Sequence, residues 1–448
     1  MRTNRSASLF RGAVARALLG TLVGYLPGFL LPFAITTKIH VGPLTDAYAF
    51  ALGIANFASA LFVGVLQTNV LPILQQLKRV GRSAFVGRLW LIGRQATVAS
   101  VLLYGALSIA AVVYIGGQSR WTLAQERLTA WSLLLLGVFV VASAINAMLS
   151  AGLNALDRFL SPAALQALRS IAPLIVLPFV SRDPTGLLIV AAAVSGGELL
   201  RTAILVWQTS NGTRVLSAVA ERMARDPAEL AFWPVAGPTA VALLIAAASP
   251  LIDRGVAASL PAGSVTLIDL GERVFQVPLT VISASLVLVA GTYWADLGRR
   301  DVATLRKHVR QTMIRGTLVT VAMAVLGLIV VAGTVLAAGP EFAGAPTRSL
   351  AAVIALLLAG LPGAFVISAG ARFLTSTRST YLLPGFAVCS FSTNLVFDIL
   401  GARLMGVEGI ALSSTVYRCV NAALYLIVIR RLLASNFHGL RPRPSLDY

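Results

Sequence analysis

The stretch TDAYAFALGIANFASALFVGVL, residues 45–66, opens with one acid, Asp46, and then runs for 20 residues without a charge. About 20 consecutive apolar residues span a bilayer core. Lipid offers no partners to free backbone groups, so a crossing of this kind has to be helical. The rest of the chain reads the same way. It has 448 residues, 57% hydrophobic and 12% charged, where a soluble domain carries about 25% charged residues. The apolar residues come in long runs without the dyad alternation of a membrane β-barrel.

Twelve such runs can be drawn, over 12–37, 44–77, 85–115, 129–153, 160–180, 185–208, 230–252, 263–295, 311–338, 349–374, 379–399 and 408–432. The first is too long and too polar at its far end for a cleaved signal. The fold class is therefore all-α, a polytopic membrane protein of about twelve spans. The net charge is +19, which in a soluble protein suggests nucleic acid. Here 26 of the 36 Lys and Arg fall in one alternating set of short loops, against 7 (Lys38, Arg120, Arg127, Arg182, Arg254, Arg348 and Arg403) in the other. The positive-inside rule then places both termini in the cytoplasm, and nucleic-acid binding is not expected.

The second half echoes the first at an offset of roughly 218–221 residues. The segment GSVTLIDLGERVFQVPLTVISASLVLV, residues 263–289, leads into GRRDVATLRK as the stretch from Thr45 leads into KRVGRSAF. GLNALDRFLSP from Gly152 likewise faces GARFLTSTRST from Gly370. An even number of spans per half makes the repeat parallel. The expected organisation is a six-helix lobe over 1–210, an amphipathic cytoplasmic linker over 211–229, a second six-helix lobe over 230–434 and a cytoplasmic tail over 435–448. A substrate path is expected where the two lobes meet.

Ionisable residues inside spans each cost about 2.5–3.5 kcal/mol at a helix centre, so they usually face protein or water. Span eight carries Asp269, Glu272 and Arg273. The i, i+4 spacing lets Asp269 and Arg273 pair. Arg273 reads either as a cavity-lining cation for an anionic group or as half of a structural pair. Glu198 and Arg201, at i, i+3, read as a structural ion pair. Arg418 has no acid near it in sequence and needs a partner from another helix or from a substrate. Asn394, Asp398, Ser414 and Asp253 are hard oxygen donors suited to an alkali cation or a proton, or else ordinary hydrogen-bonding and capping groups. Gly24, Pro27, Gly28 and Pro32 in the first span suit a bent hinge or close packing. Asn56 and Ser59 keep one side of span two polar. Cys389 and Cys419 have no metal spacing and read as packing residues. The histidines, His40, His308 and His438, have no catalytic neighbour in sequence, and the outer loops are too short to carry a membrane enzyme's catalytic groups.

Gly28-Phe29, Thr45-Asp46-Ala47 with Asn56, Leu71-Pro72, Gly263-Ser264-Val265 and Glu272-Arg273 with Pro278 carry a resemblance. Together the chain resembles the MurJ/MviN family of bacterial lipid II flippases, within the multidrug/oligosaccharidyl-lipid/polysaccharide exporter group. The resemblance implies a MATE/MurJ-like pair of lobes in the bacterial inner membrane. It implies alternating-access flipping of a polyprenyl-linked saccharide, no enzymatic activity, and membrane lipids and envelope-biosynthesis proteins as partners. It implies a substrate path through Asp46, Asn56, Asp269, Glu272, Arg273 and Arg418. No cofactor is implied beyond Na+ or H+ as coupling ion, the sodium site falling on Asp253, Asn394, Asp398, the Ile410 carbonyl and Ser414. The family's basic positions in spans one and two read Leu31, Gly53 and Ser59 here, and an acid after the first of them reads Pro32. A multidrug antiporter of the same group and a non-transporting scaffold are the alternative duties.

Overall fold

The computed structural model describes residues 2–156, 158–213, 241, 243–245, 247–287, 290, 294, 302–337, 345–377 and 379–434. Among the described residues every regular element is a helix. Contacts divide the chain into two compact units, Met1–Thr266 and Leu267–Tyr448. The division falls inside a helix. Most of the expected 211–229 linker, from residue 214 on, and the 435–448 tail lie outside the described residues.

In the first unit α1 runs Arg2–Ile39, α2 Pro43–Val80, α3 Arg82–Gly116 and α4 Leu123–Ala155. The sequence explains the starts. Thr122 caps α4 in a capping box with Gln125, and Gln125 Nε2 also donates to the Pro43 carbonyl at the start of α2. Four orphan N–H groups at each helix start are thereby partly satisfied and two helices are tied at one end. The fifth expected span is one 20-residue helical run, Leu160–Phe179, that changes helix type along its length. α5 (Leu160–Ala164) passes through a 3-10 turn, Leu165–Ala167, into α6 (Leu168–Val176), which carries Pro173 and ends in the 3-10 turn Leu177–Phe179 around Pro178. Proline removes a backbone donor, which accounts for the second change of helix type. α7 (Pro184–Thr213) and α8 (Ser249–Ala258) complete the described part of this unit, with the first turn of α9 (Ser264–Ile282).

α2 lies deepest, with 72% of its most apolar window buried, against 22% for α3, whose Val98, Leu102, Ile109 and Val113 are exposed. An apolar face turned outward is the pattern of a helix against lipid. The core of the unit is built by Leu66, Val70 and Leu74 of α2, Phe85, Leu89 and Ile92 of α3, and Met148 and Leu149 of α4.

In the second unit α9 gives way to a π-helical turn, Ser283–Val287, followed by α10 (Val302–Ala337), α11 (Ala345–Ala359), α12 (Leu361–Ser376), α13 (Leu383–Met405) and α14 (Val407–Ala434). The tenth expected span is thus two helices, bent by 41° at Gly360. Pro362 supplies the cause, since it cannot donate to the preceding turn. Trp294, Phe365, Phe373 and Tyr425 centre the core of this unit. Among the described residues, eight helices are long and apolar enough to cross a membrane, nine with the bent pair.

Candidate functional site

In the first unit, the first turn of α2 reaches far along the chain. Thr45 Oγ1 donates to the His40 and Gly42 carbonyls and takes the Gly42 N–H. The next residue, Asp46, is 4% exposed. Its carboxylate accepts from the N–H of Gly263, the N–H of Thr266 (2.8 Å) and the Thr266 hydroxyl (2.7 Å). Gly263 has φ +97, a conformation glycine adopts without strain. Asp46 therefore acts as a remote cap for the first turn of α9, a carboxylate at the positive end of a helix dipole. It was read above as a substrate-path residue. The structure engages its carboxylate with two backbone N–H groups and the Thr266 hydroxyl. Removing it leaves buried donors unsatisfied, at about 1–3 kcal/mol each. Asp46→Ala is expected to lower the thermal midpoint in detergent clearly, and Asp46→Asn, which keeps one acceptor, by less. Fluorescence-detected size exclusion after heating checks both.

α8 departs from the sequence reading. Arg254 was counted among the outer-loop charges, yet it is buried within α8 at 7% exposure, beside Asp253 at 2%. Loop charge and buried charge look alike in sequence at the end of a short apolar run. Arg254 Nη1 donates to the Pro250 carbonyl, 2.9 Å away. Its stem lies against Gly53 of α2: a Cβ on Gly53 would stand 2.4 Å from Arg254 Cδ and 2.8 Å from Nε. Leu31 and Ser59 are buried, while Asn56 is half-buried on α2.

Glu198 and Arg201 form the ion pair that their spacing predicts, at 2.7 Å. The sequence did not give its partners. Glu198, fully buried, also accepts from Asn146 Nδ2 (2.8 Å) and from the Ser143 hydroxyl (3.3 Å), both on α4. Asn146 and Ser143 are three residues apart and face one way. A polar i, i+3 pair in an otherwise apolar span was the available signal.

Gly24 and Gly28 were candidate hinge residues with Pro27 and Pro32. α1 continues through both prolines. A Cβ on Gly24 would come within 2.3 Å of the Ala163 carbonyl oxygen, and one on Gly28 within 3.3 Å of the Ser170 hydroxyl. Both glycines lie in close contact with the Leu160–Phe179 span.

In the second unit, α9 presents Asp269 and Glu272, both buried, and Arg273, a quarter exposed. Arg273 Nε lies 3.7 Å from Asp269 Oδ2. That is within ion-pair range and too long for a hydrogen bond, so the guanidinium is oriented while keeping its donors. Arg418 of α14 is buried with its guanidinium 4.0 Å over the Phe275 ring of α9. The partner that the sequence demanded from another helix is thus an aromatic face, a cation–π contact. α9 and α14 together bring two guanidinium groups to the Arg273–Phe275 stretch. Asn394 Nδ2 donates to Asp398 Oδ2 (3.0 Å) on α13, both fully buried, and Ile410 and Ser414 are fully buried on α14. Asp253 belongs to the first unit. No group of three His, Cys, Asp or Glu fit to hold a metal occurs among the described residues.

The family model "Lipid II flippase MurJ" matches residues 35–441. The chain belongs to the MurJ family. A solved lipid II flippase MurJ in an inward closed conformation is 16% identical, with TM-score 0.72, covering 92% of this chain and 87% of that one. A multidrug resistance MATE transporter of the MOP superfamily, outward-facing, is 14% identical with TM-score 0.63, covering 95% and 96%. A MOP superfamily transporter from Pyrococcus furiosus is 13% identical with TM-score 0.65 and the same coverage. These low identities carry the fold alone. No curated protein matches the sequence. This MurJ-family chain is a multi-pass membrane protein of the flippase and transporter class, with the MurJ/MATE fold that the resemblance implied.

Proposed function

We propose that the protein flips a lipid-linked saccharide, lipid II or a related polyprenyl-pyrophosphate glycan, across the bacterial inner membrane by alternating access, with both termini cytoplasmic. The observation that carries the reading is Arg273, a partly exposed guanidinium on a membrane-family helix, held by Asp269 at 3.7 Å without a hydrogen bond. A guanidinium meets a pyrophosphate through paired, charge-assisted hydrogen bonds. Arg418, fixed over Phe275 on the same helix, adds positive potential. Asp46 and Asp269 serve as positioning groups. The buried oxygens of Asn394, Asp398 and Ser414 suit sodium or a proton as the ion that resets the cycle, with the Ile410 carbonyl as a further donor. One charge crossing 100 mV contributes about 2.3 kcal/mol, enough to bias a two-state transition.

The test is translocation of a fluorescent polyprenyl-pyrophosphate saccharide in proteoliposomes. A charge-assisted hydrogen bond contributes about 1.5–3 kcal/mol, so Arg273→Ala is expected to slow flipping roughly 10–100-fold. An unchanged rate removes Arg273 from the mechanism. Cation-driven efflux of small amphiphiles without lipid translocation points to the antiporter duty.

A further inference from the structure

We propose that the cleft between α3 and α4 of the first unit binds one anionic phospholipid, with its phosphate on Arg94 and an acyl chain laid along the cleft. The lipid is a structural one, and the site stands whatever cargo the protein flips. A cavity of about 490 Å³ opens on this face, lined by Trp90, Arg94, Thr97, Val98, Ile145 and Met148 among others. That volume lies in the range of small-molecule sites, about 300–1,000 Å³. Gly93 sets its floor. A Cβ there would stand 2.3 Å from Met148 Sδ, so glycine lets the Met148 side chain reach the α3 backbone. The thioether is flexible and adapts to an irregular apolar ligand. The Thr97 hydroxyl is turned back on the Gly93 carbonyl at 2.9 Å, which leaves the wall mainly apolar.

Depth and charge identify the occupant. α3 carries no acid along its length, and Arg94 is its last cation. Residues 95–116 are uncharged and make about 33 Å of helix at 1.5 Å per residue. That matches the roughly 30 Å of a bilayer core. Arg94 therefore stands at headgroup level, exposed. Trp90, one turn further toward water, is 58% exposed. An aromatic and a basic side chain paired in this way mark the level where a helix leaves lipid. Gly87 lies two turns before Arg94 on the same side of α3, and a Cβ there would meet nothing within 4 Å. Space for a headgroup is thus left beside the guanidinium. On the other side of Arg94 the exposed apolar surface continues through Val98, Val101 and Leu102, the direction an acyl chain takes. A soluble partner does not follow a cleft to this depth. A guanidinium holds a phosphodiester through paired, charge-assisted hydrogen bonds. Lys78, Arg82 and Arg88 at the corner of α2 and α3 add positive potential, which favours an anionic over a zwitterionic headgroup. With both termini cytoplasmic, the lipid belongs to the inner leaflet.

The full-length protein, delipidated in detergent, is titrated with dioleoyl phosphatidylglycerol, with dioleoyl phosphatidylcholine and with a long-chain prenyl phosphate. Bound lipid is counted by native mass spectrometry, and thermal midpoints are read on lipid-free samples. The wild type is expected to hold one phosphatidylglycerol about tenfold more tightly than phosphatidylcholine. Arg94→Gln is expected to erase that preference at an unchanged lipid-free midpoint, with Arg94→Lys intermediate. Thr97→Phe, which fills the cleft, is expected to weaken both phospholipids about tenfold. Dibrominated phosphatidylglycerol, which quenches tryptophan on contact, gives a second readout: Trp90→Phe is expected to lose the saturable, Arg94-dependent part of the quenching. Should Thr97→Phe lower the lipid-free midpoint, Arg94→Gln and Trp90→Phe decide the matter. Equal affinity of the wild type for the two phospholipids, or an unchanged preference in Arg94→Gln, overturns the proposal. So does displacement of phosphatidylglycerol from the cleft by equimolar prenyl phosphate, which makes the cleft a cargo groove. A dimer mass that Thr97→Phe abolishes also overturns it and makes the cleft a contact between two copies of the chain.

Discussion

Replacing Glu198 by alanine is expected to cost about 3–5 kcal/mol, the range for breaking a buried ion pair from one side. The residue is fully buried and holds Arg201 at 2.7 Å, and without it the guanidinium stays in the core of the first unit with no counter-charge from α7. Asn146 Nδ2 and the Ser143 hydroxyl lose their acceptor at the same time. The double variant Glu198→Leu with Arg201→Met is expected to recover most of the loss, because an apolar pair of similar volume carries no desolvation penalty. A thermal-melt double-mutant cycle in detergent reads both effects. Equal midpoints for the single and double variants would show that Arg201 finds water or another acid once Glu198 is gone.

Gly409→Ala is expected to be nearly as damaging. A Cβ at Gly409 would stand 2.3 Å from the Gly401 carbonyl carbon and closer still to its oxygen, and a Cβ at Gly401 would stand 2.4 Å from the Gly409 oxygen. Backbone meets backbone here, so no side chain can swing away. α13 and α14 turn back on each other at Gly406, which has φ +64, and their crossing is closed by the Ser413 hydroxyl of α14 donating to the Phe397 carbonyl of α13. Overpacking of this kind costs about 1–3 kcal/mol and more where the backbone must move. The same two helices carry Asn394, Asp398, Ile410 and Ser414, the residues of the proposed ion site. Folded yield and cation dependence of transport should fall together. Gly385→Ala, on α13 with nothing within 4 Å of the added Cβ, is the control, expected to be neutral or slightly stabilising.

Local chemistry was legible in the sequence, and tertiary chemistry was not. The spans could be read because membrane helices exclude charge along their whole length, as residues 47–66 do. The pairs Glu198–Arg201 and Asp269–Arg273 could be read because a helix brings i+3 and i+4 together whatever surrounds it. The fixed points of the site depend on contacts across long stretches of chain. Asp46 finds Gly263 and Thr266, Gly53 finds Arg254, and Glu198 finds Asn146. No periodicity carries such information. Arg254 shows the failure most plainly, since a charge at the end of a short apolar run is equally a loop residue or a buried one until the opposing glycine is seen. The bend at Gly360 stood written as Gly-Leu-Pro-Gly, residues 360–363, but its 41° had to come from the packed structure.

The seam along α1 bears on how such a transporter can move. Gly20 and Gly24 lie against the carbonyl oxygens of Leu160 and Ala163, so that an added Cβ would stand 2.8 and 2.3 Å from them. Leu160 opens α5, and Ala163 lies at its end beside the 3-10 turn. Contact of α-carbon hydrogens with such oxygens favours a fixed register over sliding. The first helix and the fifth span are therefore coupled like two plates riveted along one edge, and any bending stroke in this half of the protein must carry both.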